Sequence, residues 1–247
     1  MTLAGVPRRC RHVDGVTLRP LPALLWVDLS LPLAGGEQDD VSAEEHRKAS
    51  RFRCADDRRR YLAAHAALRR TLAACGAGEA RSLHFRSNAW GKPELCEPGG
   101  PHFNLSHSAD IGLIGSSFSH DIGVDVEFMR ALPDAAALVR EHFTFAERQE
   151  FERLPPQAQD RAFLIGWTRK EACLKAIGSG LHIAPQSVDV GLVAFPRRTQ
   201  VVFGERCCDI ALQSIVHKQG WVGAVAQVLT QGKRSATFAV NAWAEVE

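Results

Sequence analysis

Two carboxylates stand two residues apart in Gly123-Val124-Asp125-Val126-Glu127, and a strand there would turn both to one face, side by side. Like charges that close repel unless water or a cation screens them. A hard divalent cation such as Mg²⁺, with oxygen ligands and a phosphate-bearing substrate, is a natural neutraliser. Two solvated acids at a strand end are the plain alternative, and the pentapeptide alone does not choose. Further on, Trp167, Glu171 and Lys175 fall at i, i+4 and i+8, one stripe of a helix, which makes Glu171 a candidate third ligand. An ordinary Glu–Lys helix pair beside a core tryptophan explains the same spacing. Asn104, Ser106, His107 and Ser108 crowd into the run FNLSHS that starts at Phe103. A serine hydrolase would need a nucleophile elbow, G-x-S-x-G, which the sequence lacks, and neighbours in sequence seldom form a triad. Gly91-Lys92-Pro93 is a short turn that carries a lysine.

These residues need elements to hold them. Residues 23–29 (ALLWVDL) are short, apolar and bounded by proline and serine, the mark of a buried strand. Ser42 and Glu45 form a capping box that opens a helix toward Phe52, and a second helix runs from Asp56 to Gly76 with Tyr61, Leu62, Leu68 and Leu72 at helical spacing. Strands are predicted near 83–86 and 111–117. The order then repeats: a strand at 122–127, a capping box at Thr144 and Glu147, a long helix over 157–177 ended by Gly178 and Gly180, and strands at 188–193, 201–203, 221–228 and 237–243. WVDLS around Asp28 answers GVDVE around Asp125. The expected fold is α+β in two layers, with two pseudo-symmetric halves, residues 1–120 and 121–247, each a small sheet packed with helices.

Composition narrows the partners. The 247 residues are 45% apolar and 23% charged, enough to bury a real core, and a net charge of +2 does not give the broad basic field of a nucleic-acid binder. Any anion site must be local. The seven cysteines are odd in number and scattered without a C-x-x-C pair, so they read as reduced thiols. No apolar run of signal-peptide length follows the polar opening residues, and the apolar stretch 21–33 is interrupted by Asp28 and too short to span a bilayer. A cytoplasmic protein, with no membrane or nucleic-acid partner, is the expectation.

Taken in order and with their gaps, GKP at Gly91, FNLSHS at Phe103, GVDVE at Gly123 and WTRKEACLK at Trp167 resemble the Sfp-type 4′-phosphopantetheinyl transferases, in the subgroup that carries alanine after the Lys170-Glu171 pair. The resemblance implies transfer of phosphopantetheine from coenzyme A to a serine of an apo acyl or peptidyl carrier protein, with Mg²⁺ as cofactor and 3′,5′-adenosine bisphosphate as the other product. By the same resemblance, Asp125, Glu127 and Glu171 fall on the Mg²⁺ ligands, and Lys170 and Lys175 flank the pyrophosphate. Ser106 and His107 contact coenzyme A, while Lys92 and Arg60, with Lys48 on a looser alignment, meet the adenosine and its 3′-phosphate. Glu171 or a metal-bound water would take the serine proton, and Lys175 would meet the departing phosphate. One cleft between two fused halves implies a working monomer. A Mg²⁺-dependent phosphate-ester hydrolase and a non-catalytic coenzyme A-binding module are the alternatives.

Overall fold

A computed structural model describes residues 22–33, 35–217 and 220–233; the opening arginines, Cys10 and the strand expected at 237–243 lie outside the described residues. In the first half, β1 (Ala23–Asp28) leads to two helices, α1 (Ala43–Ala49) and α2 (Ala55–Leu72). The Ser42 hydroxyl accepts the Glu45 amide while the Glu45 carboxylate accepts the Ser42 amide, the reciprocal cap that the sequence announces. A small hairpin of β2 (Phe85–Ser87) and β3 (Pro93–Leu95) follows, then β4 (His102–Ser108) and β5 (Ile111–Ser117). The main sheet has the order β1-β5-β4, all antiparallel, and Leu68 and Leu72 of α2 pack on Phe103 and Ile114.

The second half runs β6 (Ile122–Phe128), α3 (Ala135–His142), α4 (Phe145–Glu152), α5 (Pro156–Ile177), β7 (Arg197–Phe203), β8 (Arg206–His217) and β9 (Trp221–Lys233). Its sheet has the order β6-β9-β8-β7. In both halves the first strand lies beside the last, and the last beside the one before it, so the two sheets share one plan. Buried Ala172, Cys173, Leu174 and Ala176 of α5 pack on Ile210, Leu212, Ala224 and Ala226. The approach of α5 to β6 is close because residue 123 is glycine: a Cβ there would stand 2.1 Å from the Ala172 carbonyl and 2.3 Å from the Ala176 amide. A third cluster, with Leu113 on β5 and Ile122, Val124, Val126, Trp221 and Val225 on β6 and β9, joins the halves.

The expected strand at 188–193 is not a strand. Val188, Val190 and Leu192, the alternate apolar residues of the run, are all buried, but no neighbouring strand pairs with them. Side chains answer their backbone instead. The Glu147 carboxylate accepts the amides of Val190 (2.7 Å) and Gly191 (3.0 Å), and Arg169 and Lys170 donate to the carbonyls of Val190 and Val188. The sequence reading also leaves α3 and β8 unassigned and treats FNLSHS as a polar knot, where the structure has the regular strand β4.

Candidate active site

β4 and β6 are edge strands of their sheets, and they meet along a seam closed by side chains rather than by a ladder. Asn104 Oδ1 accepts the Val124 amide (2.8 Å), Ser106 Oγ donates to Asp125 Oδ1 (2.8 Å), and Ser108 Oγ donates to Glu127 Oε2 (2.9 Å). Ser106 and Ser108 share one face of β4, as Asp125 and Glu127 share one face of β6, so the period of two on each strand sets the pairs in register. The crowding of FNLSHS thereby has a cause: those polar groups are partners for a carboxylate strand. Asn104 and Ser108 are members of this seam that the sequence reading gave no role, and their period-two spacing with Ser106 is the signal that marks them.

From α5, the Lys175 ammonium reaches both Asp125 Oδ1 (2.6 Å) and Ser106 Oγ (3.2 Å). Asp125 is otherwise buried, and its Oδ2 has no hydrogen-bond partner. Burial pushes the Asp125 carboxyl up to about 6 against the pull of Lys175 and Ser106, and the charge of nearby Glu171 adds to the rise. Glu127 is half-buried, with Arg130 at 3.5 Å. Glu171, also half-buried, lines a cavity of about 280 Å³ with Lys175, Lys92, Trp90 and Leu174.

No set of three His, Cys, Asp or Glu side chains among the described residues is drawn together tightly enough to clasp a metal; Asp125 is occupied by an ammonium instead. The chemistry of the donors nevertheless suits a hard cation. Asp125 presents a buried carboxylate oxygen with no partner, next to a second carboxylate on the same strand face, and every candidate ligand is oxygen.

The remaining residues divide. His107 lies on β4, opposite in direction to Ser106, with one edge at the surface; partial desolvation of its ring, together with the charges of Lys175, His65 and Arg60, holds its imidazole below the ordinary value. Lys48 sits over the Tyr61 ring (5.4 Å) and lines a cavity of about 470 Å³ between α1, α2 and β4. Arg60 is held by Asp110 (2.8 Å) and Asp57 (3.2 Å). Lys92 turns inward, donating to the Ala176 carbonyl at the end of α5 (2.7 Å), and burial lowers its pKa against the pull of Asp121. Lys170 is not brought to the seam at all. It is fully buried, 2.6 Å from Glu147 and 4.8 Å over the Phe143 ring, so successive residues of α5 face opposite ways: Glu171 to the cleft and Lys170 to the core.

Residues 121–226 match the family model of the 4′-phosphopantetheinyl transferase superfamily. A Synechocystis sp. protein assigned to the 4′-phosphopantetheinyl transferases is 36% identical over 164 residues, which span 66% of this chain and 67% of that protein. The 4′-phosphopantetheinyl transferase HetI of Nostoc sp. is 33% identical over 57% of this chain and 61% of its own length. A 4′-phosphopantetheinyl transferase of Bacillus subtilis is 29% identical over 67% and 75%.

Proposed function

The chain belongs to the 4′-phosphopantetheinyl transferase superfamily, and from that premise we propose that it moves the phosphopantetheine arm of coenzyme A onto a serine of an apo acyl or peptidyl carrier protein, at the seam between β4, β6 and α5. The observation that carries the placement is the Ser106–Asp125–Lys175 cluster, where a buried carboxylate keeps one oxygen unpartnered beside Glu127 and within the field of Glu171.

Asp125, Glu127 and Glu171 would hold Mg²⁺. The bound ion would neutralise the pyrophosphate oxygens and offset charge in the in-line transition state. The chain's own groups do the rest. The incoming serine Oγ bonds to the phosphorus nearer the pantetheine as the bond from that phosphorus to the bridging oxygen breaks, and 3′,5′-adenosine bisphosphate leaves. Glu171, on the cavity wall, accepts the serine proton. Lys175, one turn further along α5, is about one-third exposed and can exchange Asp125 for a phosphate oxygen of the leaving group. Ser106 keeps Asp125 oriented, and His107 and Lys48 line the path toward the nucleotide. Lys170 has no part in this reading beyond holding α5 in place.

The active species is a monomer, since β4 and β6 of one chain supply both sides of the seam. The cytoplasm is its proposed location: coenzyme A is made there, and the six described cysteines are unpaired. No helix among the described residues is long and apolar enough to cross a membrane. The test is a product balance on the purified protein with coenzyme A, Mg²⁺ and a panel of apo carriers. Adenosine bisphosphate should appear one for one with modified carrier. Free phosphopantetheine beside unmodified carrier would make the protein a hydrolase, and binding without any product would make it a coenzyme A-binding module.

A further inference from the structure

Helix α5 carries Glu171 and Lys175 in its last two turns, and the other half of the chain holds the end of that helix. The final carbonyls of an α-helix have no partner within it. Here the Gly178 amide answers the Leu174 carbonyl (2.9 Å), but the Ala176 carbonyl accepts from Lys92 Nζ (2.7 Å) and the Gly178 carbonyl from Asn88 Nδ2 (3.2 Å), both in the turn between β2 and β3. Asn88 also builds that turn. Its Oδ1 accepts the amides of Trp90 (2.8 Å) and Lys92 (3.0 Å). The fit is close, since a Cβ on Gly178, whose φ is +70°, would stand 2.7 Å from Lys92 Cδ and 2.9 Å from Asn88 Nδ2.

The Lys92 side chain is only 8% exposed, and its ammonium sits at the negative end of the α5 dipole, with Asp121 at 3.7 Å. Asp121 is fixed in turn by His102 (3.0 Å) and Gln231 (3.4 Å). The same turn of α5 is pressed on β6, where a Cβ at position 123 would stand 2.3 Å from the Ala176 amide nitrogen. Both halves therefore grip the backbone next to Lys175, whose ammonium reaches Asp125 and Ser106. We propose that Lys92 is a positioning residue: by capping α5 from across the seam it holds Lys175 in place, and it acts on the reaction through that lysine rather than by touching the nucleotide. A displacement of about 1 Å at a reacting group can cost on the order of a hundredfold in rate, so one buried cap has leverage on turnover. The kinetic consequence rests on the transferase reading, but the cap itself does not.

Lys92→Met keeps the aliphatic stem and removes the ammonium. On the full chain, amide hydrogen exchange in residues 174–177 should speed up about fivefold or more while the rest of α5 stays protected. Lys92→Arg, which restores a donor, should recover part of that protection. In transfer to an apo carrier, Lys92→Met should lower kcat about tenfold or more and leave the KM for coenzyme A within about threefold. Added to Lys175→Met it should cost little further, because both changes act through one group. Unchanged exchange at the end of α5 overturns the proposal, and so does a rise spread over the whole chain, which would mark a general loss of stability. A raised KM with kcat intact would place Lys92 on coenzyme A itself, and full additivity with Lys175→Met would break the link to that lysine; either result overturns it. Failure of the transferase reading looks different: wild type would leave every apo carrier unmodified while the exchange comparison still separated the variants.

Discussion

Asp125 is the residue where stability and chemistry pull in opposite directions. Its raised pKa means that the folded protein holds a proton there that the unfolded chain gives up. The stability from the protonated carboxyl is therefore complete below its ordinary value of 3.8 and is lost as pH rises through about 6. In metal-free buffer, Asp125→Asn should keep the acceptor for Ser106 and Lys175 while removing that loss, stabilising the protein at pH 7 by roughly 3 kcal/mol. The gain should vanish below pH 4. Urea denaturation of both proteins across pH checks it, and a destabilised Asp125→Asn at pH 7 would mean that the Lys175 pair outweighs burial. Lys170 makes the opposite case. Because it neutralises buried Glu147, Lys170→Met should cost about 3–5 kcal/mol, and adding Glu147→Gln should recover part of that cost. Coenzyme A affinity in the still-folded double variant should stay near wild type; a selective loss of affinity would return Lys170 to the pyrophosphate. The sequence pattern names Lys170 and Glu171 together, but only helix phase and the position of Glu147 tell which faces the cleft.

At the scale of elements, the site depends on how closely α5 lies on β6. Gly123→Ala would push Cβ into backbone atoms of Ala172 and Ala176, which cannot rotate away, so strand and helix must part. A cost of about 1–3 kcal/mol or more is expected, with transfer falling further than stability because Asp125 and Glu171 move apart. Equal losses in the two measurements would show that their spacing is not critical. Elements with strong periodicity were legible: both capping boxes, α2, α5, β5 and β6 stand where the residues predict them. Segment 188–193 carried the same alternation of apolar residues without a ladder, since an extended chain that crosses a core buries apolar side chains whether or not a strand pairs with it, and hydrogen-bond partners do not show in the pattern. β4 was obscured for the converse reason. Its polar alternate positions are buried in a seam, and a seam is a contact between distant segments.

For the whole molecule, the site is made by two sheet edges of one chain, so specific activity should not change on dilution and sedimentation should report a monomer throughout. Activity that falls as a dimer dissociates would mean a second copy completes the cleft. The order of four short motifs was enough to suggest the family, but the way the halves join, through Ser106–Asp125, Ser108–Glu127 and the Lys92 contact with the end of α5, needed the fold. The most direct test of the account is the intact mass of an apo carrier protein after incubation with coenzyme A and Mg²⁺. It should rise by one phosphopantetheine with wild type and stay unchanged with excess chelator or with folded Asp125→Ala, Glu127→Ala or Glu171→Ala. Full modification by the Asp125→Ala protein, or no modification of any carrier by wild type, would contradict it.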